Sequence, residues 1–382
     1  MMRISLISSA LVAALVGYGA SVAILLSAAA ALQATPSQTA SWIFMLCLGK
    51  AVGSAFLSAA FRVPVLLAWS TPGAALIAAS SGVSMAEAVA AFIFTGVMIA
   101  MTGAIRPLGR LIGLIPDGVA AAMLAGVLLP FCLKGTQAAQ SLPTMILPMI
   151  AAFLLVRLAN PALAVLAALA VGLTLAFVTG AAQLPVLSIP VPGATFIIPQ
   201  FRADVIIGLG LPLYLITMAS QNLPGFATMR AAGYAPPVRV ALAVTGGISA
   251  ITAFFGAHTV SVAAITAAIC LGDDVHPDRT QRWKVGLAYG AIWLCLGVLS
   301  PLVLTILSAL PLDLMSGLVA LALVGPLSGA LTGAMTPLES RFAATVTLAV
   351  TASGVAAFGI GAAFWGLMAG MLVCGLEKLK RT

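Results

Sequence analysis

The stretch FFGAHTVSVAAITAAICLG, residues 254–272, sets one histidine, His258, and the hydroxyls of Thr259, Ser261 and Thr266 in an otherwise apolar run. Gly256, Thr259, Val260, Ser261 and Val262 favour extended backbone, because β-branched side chains are stiff and suit a strand. The alanine-rich remainder favours helix. RVPVLLAWSTPGAALIAASSG, residues 62–82, has the same build: an extended-looking front from Val63 to Trp69, then Ser70 and Thr71 as helix caps and Pro72 for a first turn. The helix left after that cap is about ten residues, or ~15 Å, half a bilayer. Irregular backbone at membrane depth survives only where protein or a cavity buries it. Interrupted spans at matching places in two halves point to a transporter site at an inverted-repeat interface.

Composition supplies the membrane. The chain has 382 residues, is 62% hydrophobic and only 7% charged, with a mean hydropathy of +1.19. Soluble domains carry roughly 25% charged residues. Apolar runs long enough to cross ~30 Å of hydrocarbon recur from Ile4 to Cys374. The expected fold is an all-α polytopic membrane protein with about 14 transmembrane segments. These read 4–32, 39–60, 63–81, 84–105, 112–133, 142–158 and 161–180 in the first half, and 204–230, 237–255, 256–271, 284–310, 313–336, 339–356 and 358–376 in the second. Residues 1–183 form the first repeat and 204–382 the second. A proline-rich linker, 184–203, joins them on the outer side, and its core is LPVLSIPVPGATFIIPQF, residues 184–201. No segment is left over for a soluble catalytic domain. HExxH, GxSxG and paired mid-span carboxylates are absent from the sequence, which argues against an enzyme.

The charges fit this count. With both termini cytoplasmic, fourteen of the seventeen Lys and Arg fall on the inner side, from Arg3 to Arg381; Lys134 and Arg202 lie outside and Lys50 within a span. That asymmetry follows the positive-inside rule. The net charge of +8 comes from scattered residues, not from a patch that would hold nucleic acid. All five cysteines lie in apolar runs, which speaks for packing rather than disulfides.

A half-helix N-terminus offers unpaired N–H groups to an anion. Ser70, Thr71 and Gly73 surround the first such end, and His258, Thr259 and Ser261 the second. His258 is the only histidine at apparent membrane depth and titrates where a proton can be carried. It is the leading candidate for proton coupling, unless the proton travels on the substrate carboxyl. A buried histidine can also be a satisfied core residue. In YLITMASQNLPGFATMRAAGY, residues 214–234, Ser220, Gln221 and Asn222 stand together before Pro224 and Gly225. Gln221 and Asn222 either line a substrate site or bind neighbouring helices. Lys50 is too deep for easy snorkelling; it pairs with a carboxylate or faces the substrate path. Gly325, Gly329 and Gly333, and Gly366 with Gly370, are expected at close helix contacts.

At AWSTPGAAL (68–76), ITMASQNLPGF (216–226) with RAAGYAPP (230–237), and GAHTVSVAAITAAICLGDDVHPDRTQRW (256–283), the chain resembles the benzoate:proton symporter (benzoate membrane transport protein) family. That family is similar to the nucleobase and sulfate permeases. The resemblance implies a seven-plus-seven inverted repeat, with a core domain from spans 1–4 and 8–11 and a gate domain from spans 5–7 and 12–14. In the nucleobase members a carboxylate on the eighth span contacts the substrate; here Gln221 stands in that region, which suits an anion. Lys50 lies outside the matching stretches. The expected function is secondary active import of benzoate or a similar aromatic carboxylate by proton symport in the inner membrane. The ring would pack near Tyr18, Trp69 and Phe255. The alternatives are a permease for another small anion or a nucleobase, and a passive anion channel. The expected partners are the aromatic carboxylate, the proton and the lipid bilayer, with a homodimer as a candidate assembly; no cofactor or metal is expected.

Overall fold

The computed structural model describes residues 4–19, 21–105, 116–183, 193–263, 265–273, 275–358 and 360–381. Residues 184–192 of the proposed linker, and residues 106–115 with Arg106 and Arg110, lie outside these. In chain order the main elements are α1 (Ile4–Gly19), α2 (Val22–Ala31), α3 (Pro36–Phe61), β1 (Leu67–Trp69), α4 (Thr71–Ala78), α5 (Met85–Ala104), α6 (Asp117–Ser141), α7 (Pro143–Ala159) and α8 (Ala164–Val178). There follow α9 (Ala203–Arg230), α10 (Val238–Ala253), β2 (Val260–Val262), α11 (Ile265–Ala268), α12 (Lys284–Val298), α13 (Ser300–Ser308), α14 (Leu312–Met335), α15 (Arg341–Ala352) and α16 (Ala362–Arg381). Among the described residues six helices are long and apolar enough to cross a membrane, or seven if the bent pair ending in α12 and α13 counts as one span.

The helices start where the sequence caps them. Thr35 and Ser84 each close a capping box, with Gln38 and Glu87. Arg202 then ties Glu87 at 2.8 Å to Asp204 at 2.5 Å at that end of α5. The other end of α5, ~30 Å away for twenty residues, is held by Arg239, which donates to the carbonyls of Gly103 and Ala104. These charges sit at the two ends of α5, whose middle is apolar.

Among the helix pairs that approach closely through glycine are α5 with α10 and α3 with α12. A Cβ on Gly246 of α10 would lie 2.6 Å from Gly96 O and 2.7 Å from Ala100 Cα of α5. A Cβ on Gly290 of α12 would lie 2.7 Å from Ala51 O of α3. Without a hydrophobic drive between helices in lipid, such backbone approach supplies the packing. Gly246→Leu is therefore expected to remove most folded protein, judged by monodispersity after mild detergent extraction, since overpacking alone costs roughly 1–3 kcal/mol even where the core can shift. Gly366 and Gly370 do pack, against Thr351 and Thr347. Gly325 and Gly329 do not: no described atom lies within 4 Å of where their Cβ would be. Their spacing marks one face of α14, but in this half of the helix the packed face is the opposite one, carrying Leu323, Leu327 and Ala330. Gly325→Ala is expected to leave extraction unchanged.

Two details depart from an all-helical, evenly halved chain. The extended fronts of residues 62–82 and 254–272 pair as a two-stranded antiparallel sheet. The helix after β2 is a single four-residue turn, and the chain beyond it is held by Arg282, which donates to the carbonyls of Leu271 and His276 at 3.0 and 2.6 Å. None of the five cysteines forms a disulfide; four are buried, and Cys295 is exposed rather than packed.

Candidate substrate site at the paired strands

β1 and β2 meet in the register Leu67↔Val262, Ala68↔Ser261 and Trp69↔Val260. Ladder bonds continue past the strands, from Ser70 N to Thr259 O at 3.1 Å and from Ala263 N to Leu66 O at 2.8 Å. The unwound backbone is thus satisfied by its partner, as the apolar surroundings require.

Most of the polar side chains expected at this place are engaged in holding it together. Ser70 caps α4, accepting from Gly73 N at 3.1 Å, and Gly73 is needed because a Cβ there would meet Leu213 Cδ1 at 2.6 Å. His258 is fully buried. Its Nδ1 accepts from Trp42 Nε1 at 3.0 Å, so its Nε2 carries the proton and donates to Ser70 O at 3.1 Å. Thr259 shares a hydrogen bond with Thr217 at 3.1 Å, and Ser261 donates to Ala68 O at 3.3 Å. Asn222 accepts from Val262 N at 2.9 Å and donates to Met218 Sδ at 3.3 Å. The Ser220–Asn222 run falls in a π-helical turn, Met218–Asn222. Such single wide turns are frequent at functional sites, and this one aims Asn222 at β2.

Thr71 and Gln221 are half-buried, and among the described residues neither side chain makes a hydrogen bond. Tyr18, at the end of α1, lies 5.8 Å from the Trp69 ring and 5.9 Å from the Trp293 ring. Trp69 is fixed by donating to Ser21 Oγ at 2.6 Å, while Ser21 in turn donates to Gly17 O. Phe255 is elsewhere: it sits edge-on to Phe196 at 5.8 Å, beside the Phe196–Phe254 stack. Sequence reasoning did not find Trp42 or Trp293, since an indole in an apolar run carries no signal of its partner. Among the described residues no carboxylate pairs with Lys50; its ammonium lies over the rings of Trp69 and Trp293. Among the described residues no group of His, Cys, Asp and Glu could hold a metal ion.

The comparisons with known proteins follow this geometry. The family model described as "Benzoate membrane transport protein" matches residues 1–376. The chain belongs to the benzoate membrane transport family. Two curated relatives of this benzoate-transport-family protein span nearly its whole length. "Inner membrane protein YdcO" of Escherichia coli (strain K12) is 39% identical over 360 residues, covering 94% of this chain and 92% of that one. "Benzoate membrane transport protein" of Acinetobacter baylyi (strain ATCC 33305 / BD413 / ADP1) is 33% identical over 361 residues, with the same coverage. Two solved structures share the fold. The transmembrane domain of the cyanobacterial bicarbonate transporter BicA has a TM-score of 0.62 at 11% identity, covering 97% of this chain and 98% of that one. SLC26A9 has a TM-score of 0.66 at 14% identity, covering 98% of this chain and 66% of that one. The family member is therefore a multi-pass inner-membrane transport protein, not an enzyme, on a fold shared with an SLC26 protein.

Proposed function

We propose that the protein imports benzoate or a similar aromatic carboxylate together with a proton, by alternating access, with both termini cytoplasmic. The observation that carries this reading is the family match over residues 1–376. The 33% identity to a protein named a benzoate membrane transport protein supports it.

In this reading the chain is a fourteen-span, seven-plus-seven inverted repeat, 1–183 and 204–382, joined by the 184–203 linker and broken at spans 3 and 10. Spans 1–4 and 8–11 form the core, and spans 5–7 and 12–14 the gate. The packing favours this. An axis in the membrane plane that exchanges the repeats maps α3 on α12 to α10 on α5, and both of those pairs approach through glycine. It also maps β1 and β2 onto each other as antiparallel partners. The substrate sits beside the paired strands. Thr71, Gln221 and Tyr18 have capacity left for a ligand and contact it; Ser70, Gly73, Asn222, His258, Thr259 and Ser261 frame it. His258 is the proposed proton carrier, and its protonation converts Nδ1 from acceptor to donor and releases Trp42. No soluble partner is called for, and a homodimer is a candidate assembly.

Uptake of labelled benzoate into proteoliposomes under an imposed pH gradient tests this. Accumulation above equilibrium, abolished by a protonophore, is expected. Equilibration without accumulation points to a channel, and competition by uracil, sulfate or bicarbonate but not by unlabelled benzoate points to another permease. Bicarbonate is included because the fold is shared with a protein titled a bicarbonate transporter. Gln221→Glu, which places a negative charge beside an anionic substrate, is expected to weaken benzoate binding by about tenfold or more. Unchanged affinity removes Gln221 from the site.

A further inference from the structure

Lys50 is 1% exposed in the middle of α3. Among the described residues no carboxylate or hydrogen-bond acceptor meets its ammonium; the ion pairs join Arg202 to Glu87 and Asp204, and Arg282 to Asp273. Its neighbours are indole faces instead. Nζ lies 3.2 Å from the centroid of Trp69 and 2.9 Å from that of Trp293, and those two rings stand 5.2 Å apart at 71°. Tyr18 packs on both rings as a third wall. Tyr289 braces Trp293 from 5.9 Å and is itself fixed by donating to Leu67 O at 3.1 Å. The cage thus draws one wall each from α1, the end of β1 and α12, around a cation from α3.

Two polar atoms of this cage are buried without a hydrogen-bond partner, Tyr18 OH and Trp293 Nε1. Together with the ammonium they offer three donors, and no carboxylate among the described residues receives them. Indole faces offset part of the cost of burying the charge, but they accept no conventional hydrogen bond and carry no net charge. A lone buried cation and two orphaned donors are each unfavourable. A group that removes all three penalties at once bears one negative charge and several lone pairs. A carboxylate has that chemistry, and an aromatic ring attached to it would meet indole and phenol walls, with which it stacks well. A dianion would leave one charge uncompensated.

We propose that Lys50, Tyr18 and Trp293 form the receptor for the substrate's carboxylate, with Lys50 supplying the charge and Trp69 and Trp293 walling the aromatic ring. This rests on the reading of the protein as an aromatic-carboxylate transporter and names the cation that reading lacks. The cage is closed around Lys50 in this conformation. Tyr18, the penultimate residue of α1, is the wall whose hydroxyl has no hydrogen-bond partner holding it.

The test uses the purified full-length protein in detergent, titrated with benzoate, benzamide and sulfate and read by ligand-dependent thermal shift. In the unaltered protein benzoate stabilises and benzamide, its uncharged analogue, does so far less. Lys50→Met, similar in length and uncharged, is expected to lower benzoate affinity about 100-fold, to the level of benzamide, with benzamide unchanged. Retention of wild-type benzoate affinity by Lys50→Met overturns the assignment while leaving the substrate reading intact. If the unaltered protein answers to sulfate instead of benzoate and Lys50→Met loses that response, Lys50 stands as an anion receptor and the aromatic-carboxylate reading falls. Response to none of the three overturns both. Should Lys50→Met fail to fold, Tyr18→Phe carries the test, because it removes one orphaned donor and keeps the ring; about a tenfold loss of benzoate affinity supports the receptor, and no loss overturns it.

Discussion

Replacing His258 with alanine is expected to abolish proton-driven accumulation of benzoate in proteoliposomes. Two effects add. The imidazole joins α3 to the strand junction, through Trp42 Nε1 at 3.0 Å on one nitrogen and Ser70 O at 3.1 Å on the other. Its loss leaves an indole N–H buried and unpaired, at about 1–3 kcal/mol, around a side-chain-sized cavity, and leaves Ser70 O with only its bond from Ala74 N. The second effect is chemical, because alanine carries no proton. His258→Gln separates the two: an amide can both accept and donate, so it restores the tie without titrating near neutrality. In the proposed mechanism His258→Gln still exchanges labelled for unlabelled benzoate across the membrane but no longer concentrates it against a pH gradient. If His258→Gln accumulates benzoate as the unaltered protein does, the proton travels on the substrate carboxyl and His258 serves the frame alone.

Asn222→Ala is the other large effect, and it acts through the backbone. Asn222 Oδ1 receives the N–H of Val262 at 2.9 Å, which is the only link from the π-turn of α9 to β2 made by a side chain and a strand amide among the described residues. Alanine would strand that N–H in a fully buried strand, where water cannot replace the lost acceptor, at about 1–3 kcal/mol. Benzoate uptake is expected to fall at least about tenfold, with a lower melting temperature and no change in the preference for benzoate over benzamide. Gln221→Ala should do the reverse, altering affinity while leaving the melting temperature alone. Equal melting temperatures for Asn222→Ala and the unaltered protein would remove Asn222 from the frame.

The different outcomes at neighbouring positions show where the sequence is informative. Residues 62–82 and 254–272 are legible as interrupted spans because the signals are local: β-branched residues, a serine cap and a proline one turn in. Roles inside the junction are not local. Trp42 and His258 are 216 residues apart, and nothing about either residue names the other. The polarity of Ser70, Asn222, His258, Thr259 and Ser261 marks them as unusual at membrane depth. Whether each polar atom is engaged by the protein or left for a ligand depends on distances that only packing sets. The glycines of α14 make the same point. A spacing of four residues puts Gly325, Gly329 and Gly333 on one face, but a face becomes a contact only if another helix covers it, and for Gly325 and Gly329 none does.

The sequence by itself determined that this is a polytopic membrane protein, that two apolar stretches carry an extended front, and that its motifs resemble those of the benzoate transport family. Each of those follows from composition, local propensity or motif, which are properties of a chain read in order. Only the tertiary structure decided that the two breaks pair as strands, that His258 is held at both nitrogens, and that Lys50 has tryptophans where a carboxylate was one expectation. The physical reason is that burial and hydrogen-bond satisfaction belong to pairs of atoms distant in the chain. A buried lysine reads the same in sequence whether an aspartate or an indole waits beside it.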